Sequence, residues 1–154
     1  MRILYVSLLA PPKILSKDNK DISLSIVGME KNVKANIKQQ NVNFFEIETS
    51  EDKLIKLYDN HNIFILPSFT EGHPMVLLEA LARLRPVIIF EEISHVVGNK
   101  KGVFVAKRNT QSFLEKIEYI KNNYKNIQES MKNNILPLKK DFLKEFENLI
   151  LNTN

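Results

Sequence analysis

The chain has 154 residues, room for one domain of ordinary size, and its 44% hydrophobic and 26% charged residues exclude collagen-like, low-complexity and disordered classes. With no Cys there is no disulfide framework, no Cys-built zinc or iron–sulfur site and no thiol nucleophile, a count that suits a cytosolic chain. The formal charge of +4 comes from Lys interleaved with Glu and Asp, as in KDNKD and LKKDFLKEFE, which describes a solvated surface and not a nucleic-acid-binding stripe.

Arg2 to Ser7 reads as a first buried strand. The N-terminal MRILYVSLLAPPK has a short apolar run but no small-residue cleavage site, and no apolar run in the chain reaches the roughly 20 residues needed to span a bilayer. Leu8 to Asp21, with Pro11 and Pro12, is short for a full crossover helix. Ile22 to Val27 is a second strand, Glu30 to Gln40 a polar, weakly amphipathic helix, and Val42 to Ile47 a third strand with Glu46 and Glu48 on a solvent-exposed face. Ser50 to Asn60 is a helix with Ser50 as N-cap and Glu51 and Asp52 at its positive end. His61 falls in a polar turn at the surface, and Asn62 to Leu66 is a fourth strand. Pro74 to Leu84 is a helix opening on Pro; Pro86 to Phe90 and Gly102 to Ala106 are further strands. Thr110 to Tyr124 puts Phe113, Ile117 and Ile120 on one stripe. Leu138 to Leu151 carries Phe142, Phe146, Leu149 and Ile150 at helical spacing, as a packing face or, alternatively, a membrane-surface helix.

Strand and helix in alternation predict an α/β domain, a doubly wound parallel sheet covered on both faces. The expected organisation is a Rossmann-like domain over residues 1–128 and a C-terminal helical appendage over residues 129–154, packed on it.

The segment Ile63 to Phe90 carries the chemistry. Its loop Pro67 to His73 sits at the carboxyl end of a strand, where open α/β sheets place their ligands. Gly72 allows a tight backbone path, and the helix starting at Pro74 aims free N–H groups into that crevice, where phosphate or sugar oxygens bind. Glu79 stands in a helix that is apolar on nearly every face, and a buried carboxylate costs several kcal/mol unless paired or hydrogen-bonded. Two partners fit: Arg83 one turn on, or the vicinal hydroxyls of a ligand, one for each carboxylate oxygen. His95, just past a strand end, is a candidate for the same crevice. The three His are too far apart in sequence for metal-ligand spacing.

Glu71-Gly72-x-Pro74-x-x-x-x-Glu79, preceded by Leu66-Pro67-Ser68 and followed by Ala80-Leu81-Ala82 and Arg85-Pro86-Val87-Ile88, resembles the donor-site signature of retaining glycosyltransferases of the GT-B fold, group 1 (family 4), with their paired Glu. Lys101-Gly102-Val103-Phe104-Val105 resembles that family's late strand, and Ile22 to Gly28 resembles a strand ending in a Gly beside the nucleotide. Ser7-Leu8-Leu9-Ala10-Pro11-Pro12-Lys13 resembles its diphosphate loop, with Lys13 in place but Leu8 where the family has Arg. Lys13 is then a point charge for the diphosphate, or an ordinary solvated Lys.

The resemblance implies a role for each matching residue. Glu79 holds the ribose hydroxyls of a nucleotide diphosphate sugar (a UDP- or GDP-sugar), and Glu71 contacts the transferred sugar as the catalytic residue. Backbone around Gly72, His73, Met75 and Val76 receives sugar or phosphate oxygens, and Ser68 and Gly28 complete the binding set. It further implies metal-independent, retaining transfer without a cofactor, in keeping with the absence of any Asp-x-Asp. The chain would be the donor half of a two-domain enzyme, inactive alone, with an acceptor-binding domain or chain as partner. Envelope polysaccharide or lipopolysaccharide synthesis, in the cytoplasm or at the inner face of the membrane through the acceptor half, is the implied setting. The alternative is a non-catalytic nucleotide-sugar-binding or regulatory module.

Overall fold

Six short apolar segments become six parallel strands. In the computed structural model, which describes residues 1–6, 22–28, 41–137 and 148, these are β1 (Arg2–Val6), β2 (Ser23–Val27), β3 (Val42–Phe45), β4 (Ile63–Leu66), β5 (Val87–Phe90) and β6 (Val103–Ala106). They form one sheet in the order β3-β2-β1-β4-β5-β6. Register runs Val42, Leu24, Ile3, Ile63 across one half, and Phe64, Val87, Val103 across the other. This is the Rossmann-like α/β fold that strand–helix alternation predicts. Expectations for Leu8 to Asp21, Lys13 among them, for Glu30 to Gln40, and for the stripe Phe142, Phe146, Leu149 and Ile150 fall outside the described residues.

Composition explains each strand's place. β4 and β5 are apolar at every position and buried at every position, as strands covered on both faces must be. β3 alternates half-buried with exposed at the sheet's edge. Helices α1 (Glu51–Asp59), α2 (Met75–Ala82) and α3 (Thr110–Met131) connect or follow the strands, and a short 3-10 helix (Glu91–Val96) fills the link from β5 to β6. Phe113, Ile117 and Ile120 are buried, together with Ile127 and Met131 farther along α3. That helix continues past Tyr124, the end the pattern predicts, to Met131, and departs from helical dihedrals at Asn123. Among the described residues no helix is long and apolar enough to cross a membrane.

Local capping departs from expectation at two places. Ser50 occupies the N-cap of α1 but its side chain makes no capping bond. Glu48 engages the backbone just before the helix: its Oε1 accepts the N–H groups of Thr49 (3.0 Å) and of the N-cap Ser50 (2.8 Å). His61 is buried, not at the surface. It follows the C-cap of α1 and its Nδ1–H donates to the Leu57 carbonyl at 2.6 Å, one of the orphan carbonyls of that helix end.

Burial holds the His61 imidazole below its ordinary value, with Arg2 and Arg85 adding repulsion against the partly opposing Leu57 bond. The folded chain then keeps the ring neutral where the unfolded chain already binds a proton. His61 therefore contributes stability that is full above the unfolded value of 6.5 and is lost as pH falls below it. Thermal melts at pH 7.5 and 5.5 are expected to show a larger drop in Tm for the natural chain than for His61→Gln; equal drops would dismiss this contribution.

Candidate functional site

The strand order reverses between β1 and β4, and at that switch point the carboxyl ends of the strands open into a cavity of about 770 Å³. Leu4, Val27, Gly28 and Leu66 line it from the strands, Pro67 to Glu71 from the loop after β4, and Leu54, Leu57 and Tyr58 from α1. Val76 and Glu79 reach it from α2, and Ile47 and Glu48 from the β3–α1 connection. Ser68, Glu71, Glu79 and Gly28 thus converge on one cleft, although they lie on different elements.

Glu79 faces this cleft from a helix whose buried face is Leu77, Leu78, Ala80 and Leu81. The Arg83 pairing does not form. Its guanidinium instead forms a two-pronged ion pair with Asp59 at the end of α1. α2 stops here: Arg83 is the C-cap with φ −91° and ψ 12°, and Leu84 takes a left-handed φ of 54°. The Arg83 N–H still closes the last turn onto the Glu79 carbonyl at 3.2 Å, so the i to i+4 spacing is present and the Asp59 carboxylate takes the guanidinium in preference. Arg85 joins the same cluster, donating to Asp59 and to the Tyr124 hydroxyl at 3.2 Å. The two guanidiniums hold the Asp59 carboxyl below the usual range, Arg83 most strongly.

Among the described residues, the hydrogen-bond partner of Glu79 is Tyr58, whose hydroxyl donates to Oε2 at 3.0 Å. Burial and the neighbouring carboxylate push the Tyr58 phenol far above its ordinary value, so it stays a donor. One carboxylate oxygen is thereby anchored and the other is left for whatever occupies the cleft.

Glu71 is held differently. The Ser68 hydroxyl donates to its Oε1 at 2.6 Å, and His95 contacts its backbone carbonyl through Nε2 at 2.8 Å. A carbonyl only accepts, so Nε2 carries the hydrogen. His95 also lines a smaller cavity of about 200 Å³ with Gly72, His73, Pro74 and Lys100.

The start of α2 supplies donors. Pro74 is its N-cap and has no N–H, no side chain caps it, and no acid sits in its first turn. Met75 and Val76 therefore present N–H groups without intrahelical partners at the positive end of the helix. Gly72 differs from expectation: its φ is outside the left-handed region, and a Cβ built there meets nothing within 4 Å. The fold does not require glycine at 72; the space beside it is open.

Three residues of this neighbourhood were not legible as site residues. Tyr58 reads as one member of an α1 stripe. Glu48 read as solvated, yet it lines the cleft, and its bonds to the Ser50 and Thr49 amides and the nearby Lys53 keep its carboxyl low. Arg108 follows β6 and reaches back to the loop after β4, donating to the Pro67 and Ser68 carbonyls at 3.2 and 3.1 Å. The one available signal was its place just beyond the carboxyl end of a strand.

Comparison with known proteins bears on this cleft. Residues 5–136 match the family model described as glycosyl transferases group 1. An uncharacterized glycosyltransferase of Haemophilus influenzae is 31% identical over 122 residues, 72% of this chain and 34% of its own length. The capsular polysaccharide biosynthesis glycosyltransferase CapM of Staphylococcus aureus is 36% identical over 86 residues, 54% of this chain and 22% of its own. Among solved structures, Anabaena HepE in complex with UDP and glucose has the same fold with a TM-score of 0.68 at 15% identity, covering 86% of this chain and 41% of that one. The chain spans about a third of the first relative's length and less of the second's.

Proposed function

This chain belongs to the group 1 glycosyl transferases, and from that premise we propose that it binds the nucleotide diphosphate sugar of a metal-independent, retaining glycosyl transfer. The observation that carries the proposal is Glu79: a carboxylate in an apolar helix, turned to a cleft of about 770 Å³, anchored by Tyr58 and left unpaired by Arg83. Vicinal ribose hydroxyls suit the remaining acceptor capacity. Glu71, oriented by Ser68, contacts the transferred sugar, and the N–H groups at Gly72, His73, Met75 and Val76 take sugar and phosphate oxygens. Gly28 borders the nucleotide at the end of β2, and Lys13 adds a charge for the diphosphate.

Catalysis on this reading is positioning and electrostatics. The diphosphate leaving group gains negative charge as the glycosidic bond breaks, and donors already fixed at a helix start stabilise it without reorganising. The acceptor comes from a second domain or chain, so the isolated chain binds donor without transferring it. The kinship with CapM supports envelope polysaccharide synthesis as the setting, and the UDP and glucose held by HepE support a nucleotide sugar as the ligand.

Calorimetric titration with UDP, GDP, UDP-glucose and GDP-mannose tests the proposal. Saturable binding to one base series is expected; no heat with any of the four overturns it. Gly72→Ala refines the test. Because a Cβ at 72 touches nothing in the chain, Tm is expected to move by no more than about 2 °C. Affinity for the sugar nucleotide is expected to fall about 10-fold, since the methyl occupies space a ligand oxygen needs beside the backbone. Unchanged affinity would remove Gly72 from the site.

A further inference from the structure

We propose that Arg108 is a positioning residue that, together with His95, holds the loop after β4 in its donor-sugar-binding shape from behind. The inference rests on the reading of this cleft as a nucleotide-sugar site.

The guanidinium of Arg108 is committed on all sides. Nε and Nη2 form a fork with the two Glu92 oxygens at 2.9 and 3.2 Å, Nη1 donates to the Pro67 carbonyl and Nη2 to the Ser68 carbonyl. Its central carbon lies 3.9 Å from the Phe69 ring centroid and 4.3 Å from that of Phe90. Glu92 stands on the 3-10 helix after β5, and its carboxyl is held low chiefly by this bond. Three consecutive residues of the loop, Pro67, Ser68 and Phe69, are therefore pinned to the ends of β5 and β6 by one side chain. His95 pins the loop again at the Glu71 carbonyl.

Peptide geometry gives these contacts a consequence for the cleft. The described backbone has no cis peptide bond, and in a trans peptide the N–H points opposite to the preceding C=O. With the carbonyls of residues 67, 68 and 71 drawn to Arg108 and His95, the N–H groups of Ser68, Phe69 and Gly72 are turned away from them. The same constraint fixes Ser68, whose hydroxyl holds Glu71. Arg108 thus acts on the transferred sugar through Glu71 without touching it. Lysine has one compact ammonium and cannot serve two carbonyls and a carboxylate in one plane, so only the planar fork of Arg fits this role.

The test compares Arg108→Lys and Arg108→Gln with the natural chain, titrating UDP against UDP-glucose and GDP against GDP-mannose, while NMR follows the amide shifts of Phe69 to Gly72 and hydrogen exchange follows the sheet. The expected result is about 10-fold weaker binding of the sugar nucleotide, with affinity for the bare nucleoside diphosphate unchanged within about twofold. The Phe69 to Gly72 amide shifts are expected to move in the ligand-free variants, with β4 and β5 exchange protection retained. Equal weakening of both ligands with faster exchange throughout the sheet would show a general structural role and overturn the proposal, as would no change in either ligand. If the natural chain binds none of the four probes, the nucleotide-sugar reading fails, and the loop amide shifts alone then decide whether Arg108 holds the loop. Should the Arg108 variants fail to fold, Glu92→Gln loosens the same fork and is expected to shift both readouts in the same direction by a smaller factor.

Discussion

Glu79→Ala is expected to weaken binding of the sugar nucleotide by about 100-fold, the loss of a charge-assisted acceptor for the ribose hydroxyls. Three observations set this expectation. The carboxylate faces the cleft, its one protein partner among the described residues is the Tyr58 hydroxyl, and Arg83 is engaged with Asp59. Folding should feel the change little, about 1 kcal/mol, because the Tyr58 hydroxyl still has the Val76 carbonyl at 3.4 Å. Ribose recognition makes a sharper demand. The natural chain should prefer UDP or GDP over its 2′-deoxy counterpart, and Glu79→Ala should lose that preference. Tyr58→Phe, which keeps the carboxylate but frees its anchored oxygen, is expected to weaken binding only a few-fold. A Glu79→Ala chain that still discriminates against the deoxy ligand would place the ribose elsewhere.

Gly102→Ala is expected to carry the largest cost to stability, about 2–4 kcal/mol, from two sources that add. Gly102 has φ of 84°, a left-handed conformation that disfavours any Cβ, and a Cβ built there comes within 3.0 Å of the buried Met131 side chain. Here the first turn before β6 and the last turn of α3 touch backbone to side chain, with Gly as the only residue that leaves room. The fall in Tm should be roughly 5–15 °C. A cycle with Met131→Ala separates the sources: the double variant should be less destabilised than the sum of the single ones by about 1 kcal/mol or more, because the collision disappears while the backbone strain remains. Strict additivity would dismiss the collision. The comparison with Gly72→Ala is informative, since one glycine is required by the fold and the other leaves open space.

Much of the architecture could be read from the chain's pattern. Runs such as IFIL and VIIF between turn formers, alternating with helical stripes, predict a parallel sheet, and the loop Pro67 to His73 at a strand's carboxyl end predicts the cleft. These are local or periodic signals. The sequence pattern ends α3 at Tyr124, whereas Ile127 and Met131 find burial farther on. His61 was misplaced because a polar tetrapeptide resembles a surface turn, and nothing in it reveals that the ring caps the helix before it.

The amino-acid sequence by itself determined the fold class, the strand–loop–helix unit that presents Glu71 and Glu79, and the kinship those residues carry. Only the tertiary structure decided who partners whom. Arg83 pairs with Asp59 at the end of α1 and not with Glu79 one turn back, Tyr58 reaches Glu79 from another helix, and Arg108 closes on a loop 40 residues earlier. Periodicity encodes which face of an element is buried, a property of neighbours three or four residues apart. Contacts between elements depend on where each one stops and how the sheet sets them side by side, and that information exists only once the chain has packed.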